Sequence, residues 1–136
     1  MSIDEKKKSL AEHRLIQAAE SLEEARYLIE GGKSLRSVAN RIYYGMFYAV
    51  LALLIYEPFS SSKHTGVIAY FNKNFVKQGI IPEALGRCLN KAFDLRQRGD
   101  YREYFELTKD QVEPLLDVAE EFITAIRTYL HEGGKI

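Results

Sequence analysis

From Ile42 to Tyr56 the chain runs for fifteen residues without a charge, bracketed by Arg41 and Glu57. Such a run has few places to go. Crossing the roughly 30 Å of bilayer hydrocarbon takes about twenty apolar residues, and this segment is shorter and carries four tyrosines. It reads instead as a helix that is apolar over most of its circumference, and such a helix has to lie at the centre of a helical protein.

The flanking sequence supplies helices to surround it. Ala11, Leu15, Ala18, Leu22, Ala25 and Ile29 recur at steps of four and three, one stripe of an amphipathic helix over about residues 4–30 that Gly31 and Gly32 end. Ser34 is placed to cap the central helix, which should reach about Tyr56. Glu57-Pro58-Phe59-Ser60-Ser61-Ser62 then breaks the pattern. A shorter helix follows with Val67, Ile68, Phe71 and Phe75 on one side and Gly79 at its close. Pro82 suits the first turn of a fourth helix, whose apolar face is Leu85, Leu89, Ala92 and Phe93 and whose end is Gly99. Thr108 and Gln111 have capping-box spacing at the head of the last helix, although Pro114 draws its expected start toward Glu113. No segment alternates with a strand period. The expected fold class is all-α: one domain over residues 1–136, an antiparallel up-and-down helical bundle of about five helices.

Composition narrows the function classes. Lys+Arg and Asp+Glu each number 19, so no global field draws the chain to nucleic acid or to an anionic membrane. Any RNA contact has to come from a local patch. The single cysteine, Cys88, falls inside a helix as a small core residue and fits a reducing compartment. The charged N-terminus has no apolar segment behind it, so a cytoplasmic location is expected, with no membrane association. His13, His64 and His131 are far apart, and neither a Glu-x-x-His pair nor a Gly-rich phosphate loop occurs. Neither a metal nor another cofactor is expected.

Three clusters carry chemistry. Arg41, Tyr44 and Tyr48 share one helical face at spacings of three and four, as core aromatics with a paired arginine or as rings and a guanidinium that hold a nucleotide. Lys63-His64-Thr65-Gly66 opens the short helix, where free backbone N–H groups favour an anion or a side-chain cap. Leu95-Arg96-Gln97-Arg98-Gly99-Asp100-Tyr101-Arg102 gathers three arginines at a helix end, with Asp100 an internal partner for one of them.

Taken in order, Val38-Ala39-Asn40-Arg41-Ile42-Tyr43-Tyr44-Gly45-Met46-Phe47-Tyr48-Ala49, Lys63-His64-Thr65-Gly66-Val67-Ile68-x-x-Phe71, Phe75-Val76-Lys77-x-Gly79 and Leu95-Arg96-x-x-x-Asp100-Tyr101 resemble the HEPN domain, in its small stand-alone prokaryotic branch. The resemblance implies a bundle that dimerises, often encoded beside a minimal nucleotidyltransferase in toxin–antitoxin or defence systems. Active members resemble one another in an Arg-x(4–6)-His motif that cuts RNA without metal. Here the histidine positions counted from Arg96 hold Tyr101, Arg102 and Glu103. The expectation is therefore a dimeric RNA- or nucleotide-binding protein with weak or lost ribonuclease activity. The alternative is a non-catalytic module that docks a minimal nucleotidyltransferase. Arg96, Tyr101 and His64 are the catalytic candidates, and Arg41, Tyr44, Arg96, Arg98, Asp100 and Arg102 the RNA- or nucleotide-binding ones. Surplus apolar and tyrosine surface on the second helix is the residue-level reason to expect a homodimer.

Overall fold

The computed structural model describes residues 2–100 and 106–136. It contains α1 (Ile3–Glu30), α2 (Leu35–Leu54), α3 (His64–Phe71), α4 (Glu83–Gly99) and α5 (Lys109–Glu132), with a π-helical turn at Asn72–Val76 continuing α3. No strand occurs among the described residues. The fold class is all-α, as expected, and α2 packs against each of the other four α-helices.

Cross-helix contacts give the directions. Glu24 of α1 meets Arg41 of α2, Arg36 at the head of α2 meets Asp100 after α4, and Arg26 late in α1 meets Asp117 and Glu120 in the first half of α5. Successive long helices therefore run antiparallel, and α3 with its π turn forms the short connection between α2 and α4. The core is built on Val38, Ile42, Tyr43, Met46, Val50 and Leu53 of α2, each buried. Each such large side chain contributes about 1.5–3 kcal/mol relative to exposure. At Gly45 the approach of α1 is so close that a Cβ would lie 2.6 Å from Leu22 Cδ2 and 3.2 Å from the Ala18 carbonyl oxygen.

The caps follow the sequence. Ser34 accepts from the Ser37 N–H, and Thr108 and Gln111 form the reciprocal capping box. That box sets the start of α5 at Lys109 rather than near Glu113, so Pro114 lies inside the helix. The N–H it lacks would have served the carbonyl of Asp110, an exposed residue in the first turn. Pro82 precedes α4 instead of opening its first turn, and its carbonyl accepts from Leu85 and Gly86. The third helix narrows to α3 because the chain then widens into the π turn, closed by the Lys77 N–H donating to the Asn72 carbonyl at 2.8 Å. Gly79, at φ 78°, ends this segment in a conformation that favours glycine.

Two expectations change. Cys88 is only partly buried, at the edge of the core. The apolar surplus foreseen on α2 narrows to the partly exposed Tyr44, Tyr48, Leu51 and Ile55, and large apolar side chains that are more exposed include Ile3, Leu10, Ile16 and Tyr27 of α1.

Candidate functional site

The loop between α2 and α3 is tied down before the site begins. The Tyr70 hydroxyl donates to Glu57 at 3.0 Å and its ring stacks on Phe59 at 4.3 Å, which fixes where α3 starts. His64, the first residue of α3, turns its ring onto α2, 4.1 Å from the Phe47 ring centroid, and its Nδ1 lies 2.8 Å from the Tyr43 hydroxyl. From α4, the Arg96 guanidinium lies 5.4 Å from the Tyr43 ring centroid and 5.2 Å from that of Tyr44. Arg41 approaches Tyr44 as well, at 5.4 Å. Three helices thus deliver Arg41, Arg96 and His64 to one pair of neighbouring tyrosines.

The charges are unequally partnered. Arg41 is held by Asn40 at 2.8 Å and lies 3.6 Å from Glu24, while Arg36 pairs with Asp100 at 3.2 Å. Arg96 has no carboxylate partner among the described residues, and its Nε is buried with no acceptor among them. Leaving a buried donor of this kind unpaired costs about 1–3 kcal/mol. Arg96 also borders a cleft of about 290 Å³ lined by Leu28, Arg36, Ser37, Asn40, Arg41 and Asp100. Gly99 makes room here, since a Cβ on it would press on Leu107 at 3.1 Å and on the Arg36 stem at 3.4 Å.

Burial, with the nearby Arg96 charge second, holds the His64 pKa below its ordinary value. Burial also pushes the Tyr43 hydroxyl well above the ordinary tyrosine range, opposed by Arg96 and reinforced by Tyr44. At neutral pH the site therefore presents a neutral imidazole, an intact phenol and a guanidinium. Such a set binds an anion through directed N–H groups and offers aromatic faces beside it. No cluster of metal-ligating side chains occurs among the described residues.

The structure sorts the sequence candidates. Arg41, Tyr44, Arg96 and His64 come together. Asp100 borders the same cleft, and its partner among the described residues is Arg36, which the sequence reading missed. Arg98 is exposed on α4 and paired with Asp94 at 2.9 Å. Tyr101 and Arg102 lie outside the described residues. The α3 N-terminus has no side-chain cap, and His64 belongs to the site through its ring.

The HEPN domain model matches residues 11–129 of the chain. Among curated proteins, a Thermotoga maritima protein named UPF0332 is 39% identical over 126 residues, 93% of this chain and 95% of its own length. A Methanocaldococcus jannaschii protein whose name proposes it as a toxin is 34% identical over 117 residues, 86% of this chain and 80% of that one. A second M. jannaschii protein with such a name is 36% identical over 115 residues, 85% and 84% of the two chains. With a family match that spans all five helices and relatives aligned over most of their length, the chain belongs to the HEPN domain family.

Proposed function

We propose that this protein is a toxin-like HEPN protein that binds single-stranded RNA at the Arg96–Tyr44–His64 cluster and acts as a homodimer within a paired system. The observation that carries the reading is the Arg96 guanidinium, held over two rings at the edge of the cleft with no carboxylate partner among the described residues. A phosphate oxygen is the acceptor such a fork fits. Tyr44, half-buried between Arg41 and Arg96, offers a base a face to stack on. The names of the M. jannaschii relatives support the toxin-like assignment. A minimal nucleotidyltransferase is the partner we assign to the pair.

Cleavage, where it occurs, is slow and independent of metal. The 2′-oxygen must lose its proton as it attacks phosphorus, and the departing 5′-oxygen must gain one. Arg96 stabilises the charge on the phosphate between these events, a contribution typically worth about a hundredfold or more in rate. The test measures binding and cleavage of an unstructured RNA in EDTA, with light scattering on the same samples. The parent should be a dimer that binds RNA in a salt-sensitive manner, and Arg96→Ala should lose binding while Arg98→Ala retains it. Equal binding by both variants would remove the site, and a monomer that binds fully would remove the dimer from the reading.

A further inference from the structure

We infer that Tyr43 is a positioning residue that fixes His64 as its Nε2–H tautomer, so that His64 presents a hydrogen-bond donor beside Arg96 and the pair forms a two-armed phosphate clamp. The inference rests on the RNA-binding reading for the identity of the anion, but its first part stands on geometry alone. The Tyr43 side chain is fully buried, and its hydroxyl has one partner among the described residues, the His64 Nδ1 at 2.8 Å. A hydroxyl has one proton to donate. Were Nδ1 the protonated nitrogen, Tyr43 would accept from it and its own O–H would point into the core with no acceptor. A buried donor left unmade is the costlier arrangement. The hydroxyl therefore donates to the Nδ1 lone pair, and the neutral ring must carry its hydrogen on Nε2.

The surroundings agree with a neutral ring in that state. His64 is faced by Tyr43, Tyr44 and Phe47 from α2 and by Arg96 from α4, and no carboxylate among the described residues hydrogen-bonds to it. The Arg96 charge and burial both disfavour a second proton. Nε2 has no hydrogen-bond partner among the described residues, and the His64 side chain is partly exposed. A donor in that position serves a phosphate oxygen or a leaving oxygen. It does not serve as a base, and this gives a physical reason for slow cleavage.

Long-range ¹⁵N–¹H correlation of the full chain with labelled histidine, near neutral pH, reads the tautomer of each ring directly. His64→Gln assigns its signals against His13 and His131. In the parent, His64 should show protonated Nε2 and a hydrogen-bonded, unprotonated Nδ1, and Tyr43→Phe should abolish the hydrogen-bonded Nδ1 signature and return a mixture of tautomers with a higher ring pKa. Tyr44→Phe, which keeps the Tyr43 hydroxyl, should leave the parent pattern. A parent ring protonated on Nδ1, or a tautomer indifferent to Tyr43→Phe, overturns the inference, and the parent spectrum alone decides it if that variant fails to fold. Adding unstructured RNA should move the Nε2 signal in the parent and not in Arg96→Ala. RNA that binds without moving that signal overturns the clamp, whereas RNA that fails to bind at all overturns the functional reading and leaves the tautomer standing.

Discussion

Replacing Arg96 by Met separates what this residue does for the fold from what it does for a ligand. Met keeps an unbranched apolar stem over Tyr43 and Tyr44 and removes the charge. Two cation–π contacts at 5.2 and 5.4 Å are lost, together worth about 1–2 kcal/mol in a half-buried setting. One buried, unpaired Nε is also removed, which returns about 1–3 kcal/mol. The two terms offset, so urea denaturation should place Arg96→Met within about 1 kcal/mol of the parent. RNA binding has no such compensation. Losing a charged hydrogen bond costs about 1.5–3 kcal/mol, which is a tenfold to hundredfold loss of affinity, and the log–log salt slope should fall by about 0.7 for one phosphate contact. Arg98→Met, made at an exposed residue already paired with Asp94, should change affinity by less than about threefold. Fluorescence anisotropy across a salt series reads all three proteins. A destabilisation above about 3 kcal/mol, the size seen when a buried ion pair is broken, would make Arg96 a part of the fold instead, and unchanged affinity would refute the site.

Because burial and Arg96 hold the His64 pKa down, the folded state binds fewer protons than the unfolded chain. The His64 contribution is therefore fully present above the ordinary histidine pKa of about 6.5 and is lost as pH falls through it toward the lower folded value. Denaturation series at pH 7.5 and 5 should show that loss in the parent and a smaller one in His64→Gln. Gly45→Val should cost about 2 kcal/mol or more in chemical denaturation, since its branch meets Leu22 and the Ala18 carbonyl. Thr108→Ala, which opens the capping box of α5, should cost about 1 kcal/mol in the same assay.

The helices were legible because their signals are local. The apolar stripe of α1, Ser34, and the Thr108–Gln111 box each specify structure within a few residues, and the uncharged run of α2 could be buried only at the centre. The π turn was not legible, because Phe71 and Phe75 are spaced alike for a continuing α-helix. The site was half legible. Arg96 and Arg98 were grouped as one patch, yet residues two apart on a helix face different sides. Arg96 follows Leu95 and Ala92 around the buried edge of α4, while Arg98 points outward to Asp94. The Tyr43–His64 bond and the Arg36–Asp100 pair join residues 21 and 64 positions apart, and no spacing rule reaches across such separations.

The two arms of the site are carried by elements of very different anchorage. Arg96 sits on a helix of 17 residues in contact with α2 and α5, whereas His64 opens one of 8 residues that leans on α2 and reaches α5 through Phe71. Local opening free energies follow the apolar contact that each segment makes. The amides of α3 should therefore exchange with solvent through a small fluctuation, while those around Tyr43 in α2 exchange only when the whole bundle opens. Opening of α3 would break the Tyr43–His64 bond while Arg96 keeps its place over the tyrosines, so the guanidinium is the standing half of the site and the imidazole depends on α3 staying docked.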